Sequence, residues 1–104
     1  MPRKKKGAPR TFTEFSRQFP KLSAAWELLG EAGVTGPLDE KTARLIKLGI
    51  SIGTRAEGAT HSSVRKALAA GATREELFQV IALAASTIGL PSTVAAFTWV
   101  KDEL

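Results

Sequence analysis

His61 is the one histidine of the chain, and Glu57 precedes it by four residues. Successive helix residues turn by about 100°, so a spacing of four puts both side chains on one face, a turn apart. A carboxylate within reach of an imidazole orients the ring and favours its protonated form, the arrangement that general acid–base catalysis uses. An imidazolium can donate a proton, near neutral pH, to the carbanion formed in a decarboxylation or an isomerisation. The same spacing close to a helix start also arises as a plain local hydrogen bond, with Glu57 serving the helix dipole. The spacing leaves both readings open. Arg55, just before this helix, can pair with Glu57 or hold an anion. Ser62 and Ser63 adjoin His61 in sequence, but Ser63 falls nearly opposite the line through Glu57, His61, Val64 and Leu68, which argues against a Ser63–His61 dyad.

Other chemistries lack their residues. With no cysteine, the chain has no disulfide, thiolate metal site, thiol nucleophile or redox pair. One histidine rules out a multi-histidine centre, and a tetrahedral zinc site would need carboxylates for nearly all its ligands. No metal and no cofactor is therefore expected. Neither standard glycine-rich phosphate loop is present, and no serine sits in a nucleophile elbow.

The net charge of +5 is unevenly placed. Residues 1–10 hold Arg3, Lys4, Lys5, Lys6 and Arg10 and no acid, and the remaining chain has ten basic residues against ten acidic ones. Residues 1–10 read as a solvated, disordered basic tail, and residues 11–104 as one folded domain. A nucleic-acid partner is not expected, because the charge lies outside the folded part and the tail offers no aromatic for stacking. No apolar run is long enough for a membrane span. The basic N-terminus is not followed by the apolar stretch of a secretory signal, so a cytoplasmic location is expected. Lys101-Asp102-Glu103-Leu104 spells an ER-retention address, which is read only on proteins that enter the ER, so it is taken as an ordinary charged helix end.

The elements that would position these residues are all helical. Nothing alternates in the manner of a strand. A short helix over 12–19 carries Phe12, Phe15 and Phe19, and Pro20 opens a second with Leu22, Ala25, Trp26 and Leu29. Glycines 30, 33 and 36 are read as a loop. Asp39 caps a helix running to about Gly53, whose apolar residues wrap widely and make it central. The next helix, 57–70, has Thr60, Val64, Ala67 and Leu68 as its inward stripe and Gly71 as its stop, with Glu57 and His61 placed on that stripe. Thr73 and Glu76 form a capping box for a helix that is apolar nearly all round. Gly89-Leu90-Pro91 ends it, and a last helix carries Val94, Phe97 and Trp99. So much apolar surface on about a hundred residues predicts a homo-oligomer.

These motifs are also familiar as a set. Leu38-Asp39-Glu40-Lys41-Thr42, Leu45-Ile46, Arg55-Ala56-Glu57-Gly58-Ala59, Val64-Arg65-Lys66-Ala67-Leu68, Ala70-Gly71-Ala72-Thr73-Arg74-Glu75-Glu76 and Gly89-Leu90-Pro91 together resemble the carboxymuconolactone decarboxylase and alkylhydroperoxidase D family over residues 38–92. The resemblance implies an all-α, alkylhydroperoxidase D-like domain of five to six helices with an antiparallel helix-hairpin core, assembled as a trimer or hexamer. Peroxidase members of that family carry Cys-x-x-Cys-x-x-x-His and a glutamate on the preceding helix. With Arg55, Gly58 and Gly71 in register, those four positions are Ala56, Ala59, Ser63 and Arg44 here. The nucleophile, its resolving partner and the proton relay are all replaced, so no peroxidase disulfide can cycle.

Family sites lie in a cleft at the inner helices, the general region of Glu57 and His61, and branches such as the lactone decarboxylases act without the cysteine pair. Two functions follow. One is a cysteine-free decarboxylase or isomerase in which Glu57 and His61 act on a small acid or lactone, with Arg55 or Arg44 holding a carboxylate. The other is a non-catalytic helical oligomer that binds a small ligand or a protein partner.

Overall fold

The structure, a computed structural model, describes residues 10–104. The expected basic tail lies outside the described residues except for Arg10, which opens the first helix. Six helices follow one another and, among the described residues, there is no strand. The all-α expectation holds.

The chain divides into two compact units, residues 1–37 and 38–104. In the first, α1 (Arg10–Gln18) leads into α2 (Pro20–Val34), with Pro20 in the first turn, where its missing N–H costs nothing. Phe15 and Phe19 stack at the junction with ring centroids 5.0 Å apart. The loop expected from Gly30 starts later, because α2 runs on through Gly30 and Gly33. Each glycine weakens a helix by about 1 kcal/mol relative to alanine, but Leu28, Leu29 and Ala32 are strong helix formers around them. The chain turns out at Thr35, whose hydroxyl donates to the Glu31 carbonyl at 3.1 Å.

The second unit contains α3 (Glu40–Gly53), α4 (Glu57–Ala69), α5 (Arg74–Ile88) and α6 (Leu90–Lys101). The short links α3–α4 and α5–α6 make two helix hairpins, and α3 packs on α5 while α4 packs on α6. Every helix supplies a pair to the core at a spacing of three or four: Leu48 and Ile52, Val64 and Ala67, Leu77 and Ile81, Ala96 and Val100.

Local signals set the helix ends. Asp39 accepts from the Thr42 amide at 2.7 Å, which caps α3. Gly71 takes φ +97°, a left-handed conformation that stops the chain after α4 at little steric cost. The capping box forms in full, with Thr73 Oγ1 accepting from the Glu76 amide at 3.1 Å and Glu76 Oε1 accepting from the Thr73 amide at 2.9 Å.

Two expectations about burial change. The wide apolar wrap of α3 and α5 is buried on one side only, since Ile50 and Leu83 stand 60% and 68% exposed. On α4 the inward line is Thr60, Val64 and Ala67, and Glu57 is exposed. By angle Glu57 falls within about 20° of Val64, so its exposure follows from its place as the first residue of α4.

Candidate functional site

Arg55 introduces α4 with φ +57°, the one non-glycine residue with positive φ among those described. Such a backbone costs about 1 kcal/mol or more and persists only when neighbours hold it. Its side chain reaches across the fold, Nε donating to Ser92 Oγ at 3.1 Å. Arg55 therefore ties the start of α4 to the start of α6 and does not pair with Glu57. Beside it, the buried Thr60 hydroxyl donates to the Ala56 carbonyl at 2.8 Å, closing the first turn of α4.

His61 sits one turn on, at the edge of the α4–α6 contact. Its Nδ1 lies 2.7 Å from Glu103 Oε2, and Arg65 Nη1 donates to the same oxygen at 3.2 Å. An ionised carboxylate only accepts, so Nδ1 carries the proton in this contact. Glu57 Oε2 is 3.7 Å from His61 Nε2, beyond hydrogen-bond distance. The side chains of Glu103 and His61 are 15% and 20% exposed, against 63% for Glu57. The structure thus brings the expected Glu57–His61 pair to the same place, but the carboxylate that holds the ring is Glu103. Sequence reading missed Glu103 because it lies 42 residues from His61. It gave no signal beyond its place at the end of an apolar helix that must pack on something. Arg65, four residues after His61, was available from the same helical spacing.

The four positions where the resemblance expects thiol chemistry are spread along two helices. Ala56 precedes α4, and Ala59 is exposed in its first turn. Ser63 is half-buried and faces α3, with its Oγ 3.3 Å from Ser51 Oγ. Arg44 lies two turns before Ser51 on α3, and its electrostatic neighbour is Lys66 of α4. Ser63 and Arg44 therefore share the α3–α4 face, while His61 is turned toward the end of α6.

A separate groove runs between α3 and α5, with a volume of about 580 Å³. Leu45, Ile46, Val80, Leu83 and Ile88 line it, with Glu76 at its polar margin. Neither Glu57 nor His61 borders it. Gly49 faces Val80 across the two helices, where a Cβ would make only an ordinary contact with Val80 Cγ1 at 3.7 Å. Both oxygens of Glu76 are occupied, one by the Thr73 amide and the other by Lys41 Nζ at 2.9 Å. The Lys41 contact and then the Thr73 amide hold the Glu76 carboxyl below the usual carboxylate range, and the same contact raises Lys41 above the ordinary lysine value. No group of three His, Cys, Asp or Glu side chains able to hold a metal ion occurs among the described residues.

The family model for the carboxymuconolactone decarboxylase family matches residues 20–102. The chain belongs to the carboxymuconolactone decarboxylase family. A crystal structure of an apo carboxymuconolactone decarboxylase family protein from Legionella pneumophila is similar to it, with a TM-score of 0.80 and 26% identity over 89% of this chain and 84% of that one. An uncharacterized protein from Haemophilus influenzae is 36% identical over 59 residues, 56% of this chain. The chain spans about half of that relative, 52% of its length. Within the carboxymuconolactone decarboxylase family, then, this member has the helical fold and no cysteine. Among the described residues, no helix is long and apolar enough to cross a membrane.

Proposed function

We propose that this family member is a binding protein, a cytoplasmic homo-oligomer, trimeric or hexameric, that holds a small neutral ligand in the α3–α5 groove. The separation between the groove and His61 carries this reading. A volume of about 580 Å³ falls within the roughly 300–1,000 Å³ of small-molecule sites, which are mostly apolar with a few polar groups. Glu76 on its wall keeps its negative charge, and its cation, Lys41, is already paired. A carboxylate ligand would meet that charge unfavourably, whereas a lactone or an alcohol would not. His61, by contrast, spends Nδ1 on a carboxylate that Arg65 also holds, which is the arrangement of a clamp between α4 and the chain after α6.

The test is a titration of the intact protein with N-phenyl-1-naphthylamine, a neutral apolar fluorophore, and its displacement by small lactones. Saturable binding is expected. Leu83 is 68% exposed, so Leu83→Glu leaves the core intact while placing a charge on the wall, and about tenfold weaker binding is expected from the loss of roughly 1.5 kcal/mol of apolar contact. Equal binding by the variant would remove the groove from the account.

One observation favours the acid–base enzyme as a second reading. With Nδ1 fixed by Glu103, the ring presents Nε2 toward Glu57 at 3.7 Å, and an oriented imidazole with a free second nitrogen is what proton transfer requires. On that reading the substrate is a small acid or lactone, and Arg55, already on Ser92, and Arg44, on the α3–α4 face, supply less to it than the spacing promised. If a lactone or keto-acid turnover is found, His61→Ala should abolish it, and an unchanged rate would end this reading.

A further inference from the structure

The α3–α4 face holds a group of cations that neither the groove nor the His61 cluster uses. Ser51 Oγ and Ser63 Oγ meet at 3.3 Å and fix the register of the hairpin. From that point Lys47 is one turn back along α3 and Arg44 two turns back, on the same face. Lys66 is one turn onward along α4. Because the helices run antiparallel, both steps lead toward the same end of the hairpin, so Arg44, Lys47 and Lys66 come together there. Residues three apart on a helix stand about 5–6 Å apart at Cβ, and packed helix axes about 8–10 Å apart, so three positive charges share a space of roughly 10 Å.

None of the three has an ion pair among the described residues. The neighbouring Arg65 differs, since it is committed to Glu103. Glu40, one turn before Arg44, makes no ion pair with it, and residues 1–9 contain no acid. Residues 38–104 hold eight basic and seven acidic side chains, so the positive charge of this face is local rather than general. Partial burial, then the charges of Arg44, Lys47 and Arg65, hold the Lys66 ammonium below the ordinary lysine range. Gathering like charges is unfavourable unless an anion relieves it. A hydroxyl donor is also at hand. In the 3.3 Å contact the Ser63 hydroxyl accepts from Ser51, so its own proton can turn to a ligand.

We propose that Arg44, Lys47 and Lys66, with the Ser63 hydroxyl beside them, form a binding site for a small oxyanion carrying at least two negative charges, a phosphate monoester or a polycarboxylate. The short extent of the cluster fits such an anion better than a nucleic-acid backbone, which would call for a longer stripe of cations.

Isothermal titration of the full chain with inorganic phosphate at pH 8 and with citrate, each against sodium chloride at equal ionic strength, tests the site and separates the two anion classes. Saturable binding of one anion per chain is expected for at least one of them. Lys66→Met and Arg44→Glu should each weaken it tenfold or more, with helicity checked by circular dichroism, and Leu83→Glu should leave it unchanged. Arg44→Glu should also raise Tm, since it sets a carboxylate among the remaining cations. No saturable response from the parent protein, a response matched by sodium chloride, or equal binding in both charge variants would overturn the proposal. So would binding of a DNA or RNA duplex through these residues without any response to phosphate or citrate.

Discussion

At the scale of single residues, Glu103 decides what His61 is. A helix spacing of four made Glu57 the natural partner, and the structure does place it nearby, at 3.7 Å. Yet Glu57 is exposed to water, where an ion pair is worth little. Glu103 is nearly buried and serves both His61 and Arg65. Glu103→Ala should therefore cost about 1–2 kcal/mol in urea denaturation, toward the lower end because Arg65 is still partly exposed, as hydrogen bonds to a charged group are lost. Glu57→Ala should cost less than about 0.5 kcal/mol. A larger loss for Glu57→Ala than for Glu103→Ala would restore Glu57 as the residue that holds the ring. The Glu57–His61 proximity was legible in the sequence because it is a matter of one helical turn. The Glu103 contact was not, because it depends on how α6 lies against α4.

At the scale of elements, the helix ends were the most legible feature. Asp39, Gly71, Thr73 and Glu76 act within three residues of themselves, so local rules suffice to read them. Thr73→Ala removes an N-cap and should destabilise the protein by about 1 kcal/mol in thermal or urea unfolding. The caps also set an acid limit. Hydrogen bonds to the Thr42 amide lower Asp39, and Lys41 with the Thr73 amide lowers Glu76, so both folded carboxyls titrate below their unfolded values. Their contribution is complete above the ordinary carboxylate range and is lost as pH falls through the depressed folded values. Lys41 titrates above its unfolded value, so its contribution holds below the ordinary lysine range and fades as pH rises through the raised value. Tm is expected to fall in acid, and this fall should be shallower in Glu76→Gln, where the depressed carboxyl itself is gone. An identical acid profile in the variant would count against the capping box as its source. The misread element was the loop at Gly30 and Gly33, where glycine was treated as a stop although strong helix formers surround it.

At the scale of the whole molecule, apolar surface is the feature to explain. Ile50, Leu90 and Val94 are more than half exposed, and Phe12, Trp26 and Leu29 are exposed in the first unit. We propose that exposed apolar side chains in this number on a small domain are covered by other subunits. Light scattering on a sizing column should give a trimer or a larger closed assembly, and a stable monomer would contradict the burial argument. The fold class and the missing thiols were plain from residue types and periodicity. The α3–α5 groove was not, since it arises where two helices meet across the bundle, with Gly49 opposite Val80.

The central claim is that the groove binds and His61 does not take part. The fluorophore titration of Leu83→Glu and His61→Ala side by side tests it most directly. The account predicts about tenfold weaker binding for Leu83→Glu and no change for His61→Ala. Unchanged binding in Leu83→Glu together with a loss in His61→Ala would contradict it.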